Sequence, residues 1–312
     1  MATETEKLPY RILVALDGSV HGNRAAEYAA DYAARFARCE LILVHAEPDD
    51  LFTVTAAPDA EKLVEPFDLA RRASATARAI LDAAGISYRL HTELGDPADG
   101  IESVAQAEQV DEIILGSRGL GQWKGLVMGS VAYRVIHRAA VPVTVVRAPN
   151  TDAPASKPDY QRLLVPVDGS APALHAVEYI CHLRGRGLDP KVELSHVTLP
   201  LPDGYVADFV TKDMIDDYRS EQASAAQSAA VERLREAGVR FSTHAVSSSG
   251  PCWASRPNPS IETLLTSAEL HGPDERHATE RISTGGVEVV ARGRLIFTVE
   301  DQFAESLVLL EF

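Results

Sequence analysis

Short, nearly continuous apolar runs alternate along the chain with stretches in which apolar residues recur every three or four positions. Tyr10-Arg11-Ile12-Leu13-Val14-Ala15-Leu16 is the first run, and its pattern is that of a strand buried on both faces. Asp17-Gly18-Ser19 breaks it, and Ala25, Tyr28, Ala29, Tyr32, Ala33, Phe36 and Ala37 then predict a helix over 25–38. Glu40 to His45, with Leu41-Ile42-Leu43-Val44 at its centre, reads as a second buried strand. Strand, helix and strand in so short a span make a βαβ unit, whose strands are parallel neighbours.

The alternation continues. A helical pattern from Glu61 to Ala84 stops at Gly85, a C-cap signal. Ile86 to Thr92 reads as a third strand, and Gly95-Asp96-Pro97 turns into a helix through Ala107. Ile113-Ile114-Leu115 is the fourth strand, Val131 to Arg138 the fourth helix, and Val141 to Val146 a fifth strand. Pro142 places that last segment at a sheet edge or at a strand start. Five strands alternating with four helices argue a doubly wound parallel sheet.

Asn150 to Asp159, rich in Pro, Ala, Ser and Asp, reads as a linker, and after it the pattern repeats. Arg162-Leu163-Leu164-Val165-Pro166-Val167-Asp168-Gly169-Ser170 echoes residues 11–19, and Lys191 to Val197 echoes Glu40 to Ala46. A helical pattern from Asp213 ends at Ala237-Gly238 as the earlier one ended at Ala84-Gly85, and Val239 to Val246 echoes Ile86 to Glu93. The chain therefore reads as tandem copies: a domain over 1–149, a linker over 150–160, and a second domain over 161–312 that is atypical after 246. A partial echo of Ala107 to Glu112 returns at Ala268 to Glu275, and Val287 to Glu300 reads as a hairpin about Arg292-Gly293. The altered tail has two readings, true divergence or a disrupted reading frame in the gene.

Between the fourth strand and the fourth helix lies Gly116-Ser117-Arg118-Gly119-Leu120-Gly121-Gln122-Trp123-Lys124-Gly125-Leu126-Val127-Met128-Gly129-Ser130-Val131. Glycines at this density let backbone N–H groups approach an anion, with a helix N-terminus behind them that favours negative charge. No such stretch follows Glu275 in the second copy. The remaining composition narrows the chemistry. A formal charge of −15 with no basic stripe argues against a nucleic-acid surface. Met1 to Tyr10 is polar and no apolar run is long enough to span a bilayer, so neither a signal peptide nor a membrane partner is expected. Cys39, Cys181 and Cys252 are sparse and lack CxxC spacing, which fits a reducing cytoplasm. No Gly-x4-Gly-Lys-[Ser/Thr], Gly-x-Ser-x-Gly or HExxH motif is present.

This combination resembles the universal stress protein family in its tandem form, over residues 10–147 and again over 161–246. The family's nucleotide-binding variant carries G-x2-G-x9-G-[ST] after its fourth strand, and Gly116, Gly119, Gly129 and Ser130 match that spacing. The resemblance implies two Rossmann-like five-stranded parallel sheets of order 3-2-1-4-5, the second degenerate at its C-terminal end. It also implies an adenine nucleotide, ATP alone or with Mg2+, bound where strands one and four part. Gly116 and Gly119 would then lie close to ribose and phosphates, and Gly129, Ser130 and Val131 would donate to phosphates. Asp17 would accept from the ribose or adenine side, and Ala15, Ala46 and Leu115 would line the pocket. Where family members often have proline at position 15, this chain has alanine and keeps the proline in the second copy as Pro166.

Each residue also has a plainer reading. The glycine stretch could be only a tight strand-to-helix connection, Asp17 a helix cap, Arg118 and Lys124 solvated loop charges, and His45 and His196 packing residues. The functional readings that follow are an ATP-binding cytoplasmic stress regulator, an adenylate-using or slowly ATP-hydrolysing enzyme, or a dimerisation scaffold that binds nothing. An intramolecular pseudo-dimer of the two copies, or a homodimer, is the expected assembly.

Overall fold

In the computed structural model, which describes residues 8–47, 66–117, 129–146, 162–198, 211–247, 287–291 and 294–298, the first apolar run becomes β1 (Tyr10–Ala15). Helix α1 (Val20–Ala33) begins five residues before its apolar periodicity does, because Ser19 caps it: the Ser19 hydroxyl accepts from the Gly22 N–H at 3.0 Å. The first turn has one large apolar residue, Val20, and it is exposed, so the buried-face pattern alone places the start too late. Five small residues, Ala25, Ala26, Ala29, Ala30 and Ala33, are buried on α1 and let it lie close on the sheet. Tyr10 and Phe36 stack at 4.5 Å between ring centroids and close the far end.

The first unit comprises Met1–Ala155 with Gly285–Arg292. Its further elements are β2 (Cys39–Glu47), α2 (Pro66–Ala73), α3 (Ala75–Ala83), β3 (Tyr88–Leu94), α4 (Pro97–Ala107), β4 (Glu112–Gly116), α5 (Ser130–Arg138), β5 (Val143–Val146) and, from the far end of the chain, β9 (Val287–Ala291). The parallel strands run in the order β3-β2-β1-β4-β5, as expected, and β9 pairs antiparallel on β5. The winding direction reverses between β1 and β4. Each of the fully buried Ile12, Leu13, Ile42, Leu43 and Ile114 contributes about 1.5–3 kcal/mol of transfer free energy to this sheet.

The described part of the helix expected over 61–84 is two helices. The break lies at Ser74, whose hydroxyl donates to the Ala70 carbonyl at 2.6 Å, a back-bond that bends a helix. Pro142 sits just before β5 and its carbonyl accepts from Ile113 N–H at 3.0 Å, so the proline marks a strand start.

At the amino end of this sheet, Glu112 is fully buried, accepting from the Tyr10 hydroxyl at 3.1 Å and from the Thr144 hydroxyl. Burial, then the negative charge of Glu112, Asp111 and Glu40, pushes the nearby Cys39 thiol from its ordinary 9.0 up to about 12. The protonated thiol is the form the fold favours, so this contribution to stability is complete below the ordinary value and is lost as pH rises from about 9 toward about 12. At pH 8 Cys39 should react with a maleimide roughly 1,000-fold more slowly than an unhindered thiol, the ratio of the thiolate fractions. Peptide mapping of labelled protein checks this; labelling of Cys39 at the rate of a free thiol would contradict it.

The second unit comprises Ser156–Thr284 with Gly293–Phe312. Its described elements are β6 (Arg162–Pro166), α6 (Ala171–Gly185), β7 (Lys191–Thr198), α7 (Lys212–Glu236), β8 (Arg240–Ser247) and β10 (Arg294–Thr298). Strands β8, β7 and β6 are parallel in that order, and β10 lies antiparallel on β6. The 3-2-1 half of the sheet is thus kept and the other half is degenerate. The strands β9 and β10 flank Arg292-Gly293 as the tail pattern suggested, whereas the echo at 268–275 lies outside the described residues. No helix among the described residues is long and apolar enough to cross a membrane.

Candidate functional site

The register Ala15↔Leu115 sets the carboxyl ends of β1 and β4 side by side at the point where the winding reverses. From β1 the chain enters the Asp17-Gly18-Ser19 turn, with Gly18 at φ +78°, a conformation in which an L side chain is strained. The Asp17 carboxylate accepts from the Ser19 N–H at 3.0 Å, while Ser19 caps α1. The reading of Asp17 as the helix cap is therefore replaced: Ser19 is the cap, and Asp17 braces the turn before it.

The next strand is fastened to this turn. His45, 6% exposed at the end of β2, donates from Nδ1 to the Leu16 carbonyl at 2.8 Å, since that carbonyl can only accept. Its Nε2 lies 2.7 Å from the Glu47 carboxylate. The packing role expected for His45 is this latch. Ala46, between the two, pairs with Glu93 on β3, and a Cβ on Gly100 of α4 would come 3.3 Å from the Ala46 methyl group.

From β4, Gly116 packs against the first turn of α1. A Cβ there would lie 2.6 Å from the His21 carbonyl carbon and 2.9 Å from the Gly22 nitrogen, so only glycine fits. Ser117 follows, 2% exposed, and three elements hold it. Its N–H donates to the Val146 carbonyl at 2.8 Å, its carbonyl accepts from the Gly129 N–H at 2.7 Å, and its hydroxyl lies 3.3 Å from His21 Nδ1. The bond from Gly129 brings the start of α5 to the end of β4. Gly129 is the N-cap of α5 and offers no side-chain acceptor to its first turn, in contrast to Ser19 on α1, Asp96 on α4, Ser170 on α6 and Thr211 on α7. Among the described residues no N-cap side chain satisfies the first N–H groups of α5, and this electropositive helix start lies at the end of the strand next to the one that enters the Asp17 turn.

On the other side of α5, Arg134 reaches Asp96 at 2.7 Å and Arg138 reaches Asp99 at 2.7 Å. Burial pulls the Asp96 carboxyl up, but the hydrogen bond from Arg134 and those from the Asp99 and Ala98 amides leave it below the ordinary carboxylate value.

The structure therefore gathers Ala15, Asp17, Ala46, Leu115, Gly116, Gly129, Ser130 and Val131 at the carboxyl ends of adjoining strands. Gly119, Arg118 and Lys124 lie outside the described residues. A model of the universal stress protein family matches residues 10–147 and, a second time, 159–252. The chain belongs to that family.

A universal stress protein of Thermus aquaticus is 35% identical over 144 residues, covering 44% of this chain and 97% of that one. One from Methanocaldococcus jannaschii is 28% identical over 149 residues, covering 47% and 87% respectively. A solved universal stress protein from Archaeoglobus fulgidus is 21% identical with a TM-score of 0.47, over 76% of this chain and 78% of that chain.

Within this universal stress protein the second unit repeats the first half of the site. Gly169 has φ +82°, the Asp168 carboxylate accepts from Ser170 N–H at 2.9 Å, and His196 Nδ1 donates to the Val167 carbonyl at 2.8 Å. The other half differs. Where β1 has the parallel β4 beside it, β6 has the antiparallel β10, whose carboxyl end lies at the amino end of β6. A strand running that way cannot hand over to a helix at the Asp168 end.

Two residues in the first site were not singled out from sequence, His21 and Ser117. Their signal is contextual: a serine directly after the strand-ending glycine, and a histidine in the first turn of the helix that this glycine touches.

Proposed function

We propose that the first unit binds one adenine nucleotide, ATP, in the crevice between β1 and β4, and that the protein is a nucleotide-dependent cytoplasmic regulator in a stress response. The observation that carries this reading is the delivery of the glycine-capped N-terminus of α5 to the end of β4 by the Gly129–Ser117 bond of 2.7 Å, beside the Asp17 turn. Uncapped N–H groups at a helix start suit phosphate oxygens, and a carboxylate on the neighbouring turn suits ribose hydroxyls. Ser130 adds a hydroxyl to the same end. A divalent cation such as Mg2+ would arrive with the phosphates; among the described residues no cluster of three or more His, Cys, Asp or Glu side chains would hold one alone. Among the described residues only the Asp17 turn has a parallel strand and a helix start beside it, which supports a reading of one nucleotide per chain.

Thermal melting of the full chain with ATP tests this. A ligand held only by the native state at about 100 times its Kd adds about 2.7 kcal/mol, which raises the melting temperature of the first unit by several degrees. Asp17→Asn keeps an oxygen for the Ser19 N–H but removes the charge offered to the ribose, and should weaken ATP about 10- to 100-fold. A melting temperature unmoved by millimolar ATP would sink the proposal.

A further inference from the structure

We propose that His21 is a positioning residue for the anion-binding end of α5, acting through the hydroxyl of Ser117. The proposal rests on the nucleotide reading of the same crevice and adds to it a residue that lies outside the glycine motif. Ser117 is the junction. It is 2% exposed and bonded through its N–H to β5 and through its carbonyl to Gly129, and its hydroxyl, 3.3 Å from His21 Nδ1, is its hydrogen bond to α1 among the described residues. The two helix N-termini that flank the crevice are therefore coupled through one side chain.

The coupling is short and local. His21 is the second residue of α1, two positions after the capping Ser19. Its backbone is where a Cβ on Gly116 would fall, so the first turn of α1 is pressed against β4 with no side chain between them. The hydroxyl of Ser117 can donate to an unprotonated Nδ1 or accept from a protonated one, so the bond survives either tautomer. Without the imidazole, a nearly inaccessible hydroxyl loses this bond and turns to find another. The carbonyl of the same residue is the acceptor that holds Gly129, and a small rotation there moves the first N–H groups of α5. Helix-end electrostatics act only within the first turn, so the phosphates would feel that displacement and the adenine would not.

Four full-length variants separate this role from a merely structural one. His21→Ala should weaken ATP about tenfold while adenosine affinity changes less than about twofold, since one hydrogen bond of positioning is lost at the phosphate end only. His21→Asn places an amide atom where Nδ1 sits and should restore ATP binding to within about twofold of wild type. His21→Gln places its amide atoms where Nε2 sits and should not. Ser117→Ala should reproduce His21→Ala. Amide hydrogen exchange of the nucleotide-free chain gives an independent reading: Gly129 should exchange at least about tenfold faster in His21→Ala and His21→Gln, and at the wild-type rate in His21→Asn.

If wild type binds no ATP, the nucleotide reading fails and the Gly129 exchange rates alone decide the positioning role. Equal losses for ATP and adenosine, rescue by Gln as good as rescue by Asn, or unchanged exchange at Gly129 in His21→Ala would each overturn it. Should His21→Ala not fold, the contrast between His21→Asn and His21→Gln decides the same question.

Discussion

Replacing Gly116 with alanine is expected to lower the stability of the first unit by about 1–3 kcal/mol and to weaken ATP at least about tenfold. The cause is a collision with backbone. The added carbon would lie 2.6 Å from the His21 carbonyl carbon, 2.8 Å from its Cβ and 2.9 Å from the Gly22 nitrogen. None of these is the end of a flexible side chain, so the first turn of α1 must move away from β4. That movement pulls His21 from Ser117 and shifts Gly22 relative to Asp17, whose carboxylate oxygen lies 2.7 Å from where a Gly22 Cβ would be. Gly116→Val should cost more than Gly116→Ala. Gly185→Ala is the control: nothing lies within 4 Å of its added carbon, and on α6 alanine should leave stability unchanged or raise it by up to about 1 kcal/mol. Urea denaturation of the three variants, followed by ATP titration of those that fold, checks the order. Equal stability for Gly116→Ala and wild type would show that the contact between α1 and β4 is looser than described.

The second large effect is expected far from the crevice. Glu112→Ala should destabilise the first unit by about 3–5 kcal/mol, because it empties a filled site and strands two buried hydroxyl groups. Glu112 and Thr144 are 0% exposed and Tyr10 is 1% exposed, so the acceptor is lost in the interior of the unit. Glu112→Gln keeps an oxygen for one hydroxyl and a donor for the other, and should cost about 1 kcal/mol. The same variant removes one of the negative charges that hold the Cys39 thiol up, so Cys39 should react faster with a maleimide in Glu112→Gln than in wild type. Denaturation midpoints and the labelling rate together check the assignment. A Glu112→Ala protein as stable as wild type would contradict it.

Much of this was legible in the residue pattern, and for identifiable reasons. The apolar runs at Ile12 to Leu16, Leu41 to Val44 and Ile113 to Leu115 are short, continuous and bounded by glycine or polar residues, so the parallel sheet could be read directly. The spacing of Gly116, Gly129 and Ser130 located the start of α5. What escaped was local geometry without a hydrophobic signature. The first turn of α1 buries no large apolar side chain and starts at the Ser19 cap. The break at Ser74 coincides with one side-chain hydroxyl turning back to Ala70. The pairing of β9 on β5 and of β10 on β6 joins residues more than a hundred positions apart, and no periodicity reports such a contact. His21 and Ser117 were hidden because each is unremarkable alone; only the fold sets them 3.3 Å apart.

Native mass spectrometry of the full chain titrated with ATP tests the central proposal most directly. The expected spectrum at saturation shows one nucleotide per chain, with occupancy reduced at equal ATP in Asp17→Asn and in Gly116→Ala. Two equivalent nucleotides per chain would mean that the Asp168 turn also carries a complete crevice, and no nucleotide at any ATP concentration would mean that the α5 N-terminus is not an ATP site.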